Sequence, residues 1–184
     1  GMQNRLLKLN QELAQEGLPE INIGIGINTD VMFVGNMGSE FRMAYTVIGD
    51  AVNLAARLEA LTKQYGVFCL IGEQTAQAIS EEPNDDDEFG VVAIDSVRVK
   101  GKSKPVTIYQ LEACLDSGFN VDFQSFLASY HQQDWDIATN KVTELHDKYP
   151  EKSVLIQLYS RRTAQFKENP PGEHWDGVFN HLSK

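Results

Sequence analysis

The spacing of hydrophobic residues predicts an opening helix followed by extended segments. In residues 2–16 the leucines recur near a helical period, and Gly17 ends this helix. In residues 21–29 isoleucine alternates with asparagine or glycine, which indicates a strand. A turn after this strand leads to a second strand at 31–34, so the two are predicted to form a hairpin, and residues 35–39 are predicted to be a loop.

The stretch YTVIGDAVNLAARLE, residues 45–59, changes from strand to helix periodicity. Its first four residues are β-branched or aromatic, which favours a strand, and Gly49 interrupts them. From Asp50, which we interpret as the helix N-cap, the apolar residues follow at helical spacing. This helix is predicted to run to about Tyr65, because Gly66 stops it.

Two polar residues of this helix, Asn53 and Arg57, are four positions apart and therefore lie on one face, one turn above the other. In the simpler interpretation they belong to the solvated face of an amphipathic helix. In the functional interpretation they bind an anion together, because arginine offers planar, permanently charged donors suited to phosphate. Spacing alone leaves both interpretations open.

The rest of the chain alternates short strands and helices and then becomes entirely helical. Its first part is predicted to contain a strand at 67–71, a helix at 73–80, and strands at 91–99 and 106–111. The resulting order, β-β-α-β-α-β-β after the opening helix, is an α/β (α+β) arrangement. Beyond residue 113 the pattern predicts an all-α segment with helices at 119–131, 134–148 and 153–167.

Two segments carry a resemblance to a known family: IGIGINTDVMFVGNMGSEFRMAYTVIGDAVNLAARLEALTKQYG and VRVKGKSKPVTIYQLEA. They resemble the second half of a class III nucleotidyl cyclase catalytic domain, the adenylate/guanylate cyclase family. The resemblance covers residues 2–113 and implies a partial, ferredoxin-like cyclase sheet with helices. Residues 119–184 resemble the helical tail of some bacterial membrane-anchored cyclases, and Tyr130, Trp135 and Ala138 resemble a tetratricopeptide-like helical hairpin.

The resemblance implies roles for five residues. Asn53 and Arg57 match the N-x-x-x-R pair that stabilises the transition state of cyclisation in this family. Thr46 follows the motif tyrosine and matches the residue that contacts the purine edge, where threonine is associated with adenine. Lys100 and Lys102 match the lysines of the VKGK loop that contact the triphosphate, although a solvent-exposed turn is the simpler interpretation of both.

The family's two metal-binding aspartates match nothing in this sequence. One belongs to a pattern like F-x-D-x-x-G-F-T and the other to a G-D segment of a hairpin, and both precede the part of the domain that this chain resembles. Asp50 also follows a glycine, but it belongs to the start of the helix. We therefore expect Mg²⁺ or Mn²⁺ in the complete parent domain and none bound by this chain, which we expect to be inactive by itself.

The function that follows from the resemblance is that of an adenylate cyclase, which converts ATP to cyclic AMP and pyrophosphate at the interface of a homodimer. A guanylate cyclase is the first alternative, because the lysine that helps to select adenine also lies upstream of the matching region. A non-catalytic cyclase-like dimerisation or regulatory module, with the tail as a helical adaptor, is the second. The parent is expected to be anchored in the inner membrane with this part in the cytoplasm.

Net charge and residue types argue against several other classes of protein and binding site. A net charge of −10 argues against general nucleic-acid binding, which requires a basic face. No signal peptide opens the sequence, and no apolar run approaches the roughly 20 residues that cross a membrane.

Cys69 and Cys114 lie far apart and are interpreted as reduced, buried thiols. Gly24 and Gly26 lack the third glycine of a dinucleotide motif and instead indicate close approach of backbone or ligand.

Overall fold

A computed structural model of the chain describes residues 1–39, 42–81, 89–98, 105–112 and 116–179 and shows a mixed α+β fold. Its first part contains, in chain order, α1 (Met2–Gln15), β1 (Ile25–Ile27), β2 (Phe33–Ser39), β3 (Arg42–Ile48), α2 (Asp50–Tyr65), β4 (Cys69–Gly72), α3 (Glu73–Glu81), β5 (Gly90–Val97) and β6 (Val106–Glu112). Its second part contains α4 (Ser117–His131), α5 (Trp135–Lys148), a short 3₁₀ helix (Pro150–Lys152) and α6 (Ser153–Glu168).

Helix α2 has the bounds that the sequence predicts. It ends at Gly66, whose φ of 66° lies in the left-handed region that glycine adopts without a steric penalty. The predicted cap is wrong, because the N-cap residue is Gly49 and Asp50 is the first helical residue. The carboxylate of Asp50 still lies in the first turn, where negative charge opposes the positive end of the helix dipole.

Four strands form one sheet in the order β1-β4-β6-β5. Strand β1 runs parallel to β4, whereas β4 and β5 both run antiparallel to β6. The register between β5 and β6 shifts between Ala93 and Asp95, which marks a β-bulge at this point of β5. The helices of the second part contact the sheet at this bulge.

The predicted hairpin between residues 21–29 and 31–34 is wrong. Strand β1 contains only three residues, Ile25–Ile27, and it pairs in parallel with β4. The hairpin of the structure is instead formed by β2 and β3, with Phe33 opposite Ile48. Residues 35–39, predicted to be a loop, therefore belong to β2. A parallel partner lies more than 40 residues away in the chain, so local turn signals could not indicate it.

The β2–β3 hairpin forms a separate two-stranded sheet and is solvent-exposed. Every residue of β3 is exposed. The hairpin and its approach expose several large apolar side chains, namely Val31, Phe33, Val34, Met43, Tyr45, Val47 and Ile48. An isolated two-stranded sheet is only marginally stable in water. Exposed apolar surface of this kind commonly marks a contact with another protein.

The second part of the chain packs onto the first in a shared hydrophobic core. Leu54, Leu58 and Tyr65 of α2 and Ile94 and Ile108 of the sheet belong to the same buried cluster as side chains of the three tail helices. These tail side chains include Phe119, Phe123, Phe126, Val142, Leu155 and Tyr159. The opposite face of the sheet is covered by α3 through a smaller cluster around Cys69, Ile71 and Ala76.

The strand order shows which strands lie at the edges of the four-stranded sheet. Strand β4 lies between β1 and β6, so residues 67–71 are not an edge. Strands β1 and β5 each pair with one strand among the described residues and form the two edges.

Among the described residues, no helix is both long and apolar enough to cross a membrane. Cys69 is buried, as predicted, and is a free cysteine, whereas Cys114 lies outside the described residues.

Candidate functional site

Helix α2 lies directly on strand β1. Gly24 and Gly26 of the β1 segment face this helix, and a Cβ atom built on Gly24 would be 2.0 Å from Thr62 Oγ1. A side chain at either position would therefore push the helix away from the strand. Of the two causes that the sequence offered for these glycines, close backbone approach is confirmed.

The structure places Asn53 and Arg57 on the exposed surface of α2. Their neighbours Leu54 and Leu58 are buried in the core, so the apolar side of the helix is anchored and the polar pair faces solvent. Among the described residues, neither polar side chain forms a hydrogen bond or an ion pair. Their donors are therefore accessible to an anion, although accessibility agrees equally with a solvated helix face.

The start of α2 is held by Asn28, a residue that sequence patterns did not single out. Asn28 Nδ2 donates a hydrogen bond to the Ala51 carbonyl oxygen at 3.3 Å. The neighbouring residue Thr29 forms a hydroxyl–hydroxyl bond of 3.0 Å with Thr75 of α3. The sequence feature that could have indicated this role is the polar amide of Asn28. It stands at the end of the Ile-Gly alternation, at a position where the strand would otherwise continue.

Thr46 lies on β3, in the two-stranded sheet rather than in the four-stranded one. Its cross-strand partner is Gly35, and a Cβ atom built on Gly35 would contact nothing within 4 Å. The surface beside the Thr46 hydroxyl is therefore open to a planar group. Only Gly49 separates β3 from α2, so one continuous piece of chain carries Thr46, Asn53 and Arg57.

The two candidate lysines, Lys100 and Lys102, lie outside the described residues. The strands that flank them, β5 and β6, are paired with each other, with Val97 opposite Val106. The predicted contact of these lysines with a triphosphate therefore stays a prediction.

A buried polar cluster lies at the other end of α2, and sequence patterns alone did not reveal it. Arg162 of α6 donates from Nη1 to Asp95 Oδ2 at 2.5 Å and from Nη2 to the Tyr65 hydroxyl at 3.2 Å. Tyr65 in turn donates to the same carboxylate oxygen of Asp95. Both charged side chains of the ion pair are 2% exposed.

The charges of this cluster shift the pKa values of its members. Burial raises the pKa of the Tyr65 hydroxyl far above its usual value, and the negative charge of Asp95 raises it further. Burial acts to lower the pKa of Arg162, but its interactions with Asp95, Tyr65 and Tyr159 together outweigh burial, and the pKa lies above its usual value. Tyr65 is therefore neutral and Arg162 charged over the whole physiological range.

The missed signal was the position of Arg162 in the helical pattern. Leu155, Leu158 and Tyr159 define the buried face of α6, and Arg162 follows at the same spacing. A charged residue on the apolar face of a helix requires a buried partner, since unpaired buried charges are costly. The sequence indicates that such a partner exists, but it does not indicate which residue it is.

The acidic, histidine and cysteine side chains do not form a metal centre in the described ranges. These ranges contain no group of three or more His, Cys, Asp or Glu side chains placed to hold a metal ion. The described residues thus do not fit the Mg²⁺ or Mn²⁺ that the family uses. The donors that the described candidate residues offer are the amide of Asn53, the guanidinium of Arg57 and the hydroxyl of Thr46.

Comparison with protein families assigns the first part of the chain. Residues 1–113 match the adenylate and guanylate cyclase catalytic domain. The chain therefore belongs to this family of class III cyclases. The match ends close to the end of β6, so helices α4–α6 lie outside it.

Individual relatives agree with this assignment. The chain is 43% identical over 117 residues to an adenylate cyclase of Anabaena cylindrica, a match that covers 61% of this chain and 22% of the relative. It is 46% identical over 91 residues to the terminal-differentiation specific adenylate cyclase of Dictyostelium discoideum, a match that covers 50% of this chain and 4% of the relative. The chain thus spans less than a quarter of either relative.

Among solved structures, the fold is similar to the adenylyl cyclase CyaB from P. aeruginosa. The TM-score is 0.51 at 32% sequence identity, and the similarity covers 62% of this chain and 55% of that one.

Proposed function

We propose that this chain is part of an adenylate cyclase that converts ATP to cyclic AMP and pyrophosphate. The observation that carries the proposal is the exposed Asn53–Arg57 pair, four residues apart on a helix anchored to the core, within the region that matches the cyclase family. Two relatives named adenylate cyclase, at 43% and 46% identity, support adenine as the base.

In the proposed reaction the 3′-hydroxyl of the nucleotide attacks the α-phosphorus and pyrophosphate leaves. Negative charge builds on phosphate oxygens in the transition state, and fixed donors stabilise it most when they are already in place. Asn53 would donate through its amide and Arg57 through its guanidinium. Helix α2 suits this role because the β1 glycines, the core leucines and the Asn28 hydrogen bond all fix its position.

Substrate recognition is assigned to three further residues. Thr46 would contact the purine edge, and the open surface opposite Gly35 leaves room for a base there. A hydroxyl both donates and accepts, so Thr46 by itself can read adenine or guanine. Lys100 and Lys102 would contact the triphosphate, with Lys102 the more important of the two.

We propose that the active enzyme is a homodimer with the site at its interface. The exposed apolar side chains of the β2–β3 hairpin support this, because exposed apolar surface commonly marks a protein–protein contact. Phe33 is 75% exposed and Tyr45 is 76% exposed, values that are unusual for aromatic side chains. Thr46 lies on the same face of the hairpin as Phe33 and Ile48, so a partner that covers this face would also border the proposed site.

The isolated chain is proposed to be inactive, because its sequence contains neither aspartate motif that binds the family's metal ions. The metal ions, Mg²⁺ or Mn²⁺, would be held by residues of the complete parent domain. We further propose that this part of the parent lies in the cytoplasm, touches the membrane only through other parts of the parent, and binds no nucleic acid.

The test is to assay a chain in which the first half of the catalytic domain precedes this sequence. The purified protein is incubated with Mn²⁺ and either ATP or GTP, and the cyclic products are separated and measured. Cyclic AMP as the main product supports the proposal, whereas cyclic GMP as the main product assigns a guanylate cyclase. The absence of product from either nucleotide with a folded, dimeric protein would leave the non-catalytic module as the function.

A further inference from the structure

The tail helices attach to the cyclase region at one irregular point of the sheet. The β-bulge in β5 disrupts the ladder at residues 93–95, and each of these residues is contacted by a polar side chain of the tail. Gln124 donates to the Ala93 carbonyl oxygen at 2.8 Å, Tyr159 donates to the Ile94 carbonyl oxygen, and Arg162 donates to the Asp95 carboxylate. The tail thus supplies partners at the position where the regular strand pairing is interrupted.

The same contact includes the end of α2. Arg162 donates to both Asp95 of β5 and Tyr65, which is the last residue of α2. Its guanidinium also lies over aromatic rings, with the centroid of Phe179 at 4.5 Å, that of Tyr159 at 5.2 Å and that of Tyr65 at 5.6 Å. One side chain of the tail therefore joins the sheet to the helix that carries the proposed transition-state donors.

A second contact fixes the same end of α2. A Cβ atom built on Gly66 would be 2.3 Å from Val154 Cβ, so the first turn of α6 lies directly against the left-handed residue that ends α2. Lys152, just before α6, forms an ion pair with Glu112 at the end of β6, and both side chains are largely buried. The beginning of α6 is therefore attached to the sheet as well as to α2.

We propose that the tail is a positioning element for catalysis and that Arg162 is its main positioning residue, acting on Asn53 and Arg57 through the rigid helix α2. This inference rests on the proposed cyclase function. Tyr65 lies eight residues after Arg57 and twelve after Asn53, or about 12 and 18 Å along the helix axis. A small tilt at the Tyr65 end would therefore displace both donors, and a displacement of about 1 Å can lower a rate by about a hundredfold.

The first experiment uses the 184-residue chain and needs no activity. Amide hydrogen exchange is compared among the wild type, Arg162→Met and the control Arg161→Met, which alters an exposed residue of the same helix. Leaving Asp95 buried without its ion-pair partner should speed exchange in α2 and β5 by about a hundredfold or more, while α5 changes little. Unchanged exchange in α2, or equal acceleration in every helix, would overturn the proposal.

A milder variant covers the case in which Arg162→Met fails to fold. Tyr159→Phe removes the hydrogen bond to the Ile94 carbonyl oxygen but keeps the buried ring. It should speed exchange in α2 and β5 by about tenfold and leave α5 unchanged. If exchange in α2 does not respond to this variant, the tail does not hold the helix through the bulge.

The second experiment uses the chain with the first half of the domain restored and measures kcat and KM separately. Arg162→Met should lower kcat about tenfold or more and change KM less than about threefold, because the donors act in the transition state. Arg162→Lys keeps the charge and should recover part of kcat. A purely structural role would lower only the melting temperature, and kcat per folded molecule would then stay at the wild-type value. An inactive wild type would refute the proposed function, and the exchange experiment would still decide whether the tail holds α2.

Discussion

Gly26 of β1 lies so close to Ala55 of α2 that a Cβ atom built on the glycine would be 2.1 Å from the Ala55 carbonyl oxygen. The same atom would be 2.4 Å from the amide nitrogen of Glu59. Both contacts are with backbone, which cannot rotate away as a side chain could. The short distance between β1 and the middle of α2 therefore requires that residue 26 has no side chain. Ala55 lies between Asn53 and Arg57 in the helix.

Gly26→Ala is expected to destabilise the chain by about 2 kcal/mol or more, because overpacking a close backbone contact forces the helix outward. Urea unfolding followed by circular dichroism measures this. The control is Gly35→Ala in β2, where an added Cβ would meet nothing within 4 Å and stability should change by less than about 1 kcal/mol. Equal effects of the two substitutions would show that α2 can shift without cost.

In the complete domain, Arg57→Ala and Asn53→Ala should each lower kcat by about a hundredfold, in analogy with the removal of one oxyanion donor. Both side chains are exposed, so the melting temperature should change little. Lys63→Ala provides a control, because it removes another exposed cation from the same helix. If Arg57→Ala unfolds the domain instead, the residue is structural and its assigned role is wrong.

The 184-residue chain alone should form no cyclic AMP from ATP in the presence of Mn²⁺. The two aspartate motifs that bind metal in the family are absent from its sequence, and metal ions supply several kcal/mol of transition-state stabilisation. A sensitive radiometric or mass-spectrometric assay at micromolar protein measures this directly. Turnover above that of an Arg57→Ala control would contradict the prediction.

The hairpin is expected to mediate self-association. The double variant Phe33→Ser/Tyr45→Ser should weaken the dimer about tenfold or more, since exposed aromatic side chains often dominate interface energetics. Light scattering over a range of dilutions should show the wild type at twice 20.6 kDa and the variant closer to 20.6 kDa. Val121→Ser is the matched control, because Val121 is 67% exposed but lies on α4. A wild-type mass near 20.6 kDa at every dilution would rule out this interface.

Stability should fall with decreasing pH through Asp122. Hydrogen bonds from Lys148 Nζ at 2.6 Å and the Tyr149 hydroxyl at 2.9 Å hold the pKa of this carboxyl below its usual value. A folded-state pKa below the unfolded one contributes stability that is present above the unfolded pKa of about 3.9 and is lost as the pH falls through the folded value.

Asp122→Asn should therefore be less stable than the wild type at about pH 7, and this difference should vanish as the pH falls well below about 4. Unfolding midpoints in urea at a series of pH values measure the difference. Asp147→Asn, at a side chain that is 80% exposed, is the control for the loss of one negative charge. A constant difference between the Asp122→Asn variant and the wild type at all pH values would contradict the assignment.

Features that depend on local signals were predicted from the sequence with good accuracy. The bounds of α2 follow from its apolar spacing and from Gly66, and all three tail helices were found within about two residues of their observed ends. Asp116 and Asp134 cap α4 and α5 through bonds from the backbone amides of Phe119 and Ile137, local contacts that the sequence analysis did not single out. The placement of Asn53 and Arg57 on one face of the helix follows from helix geometry alone.

Features that depend on distant contacts were not predictable in this way. The pairing of β1 with β4 and the position of β4 inside the sheet are set by partners elsewhere in the chain. The extension of β2 through residues 35–39 was also missed, although its partner β3 is the next strand in the chain. The position of Arg162 on the apolar face of α6 could have indicated a buried partner, but not which one, because Asp95 lies 67 residues away and is one of 26 acidic residues. Local sequence determines whether a segment has the periodicity of a helix or of a strand and where the segment ends. Both depend on residues that are close together in the chain. The tertiary structure alone decides which buried charges and strand edges meet, because each such choice depends on the packing of the whole core.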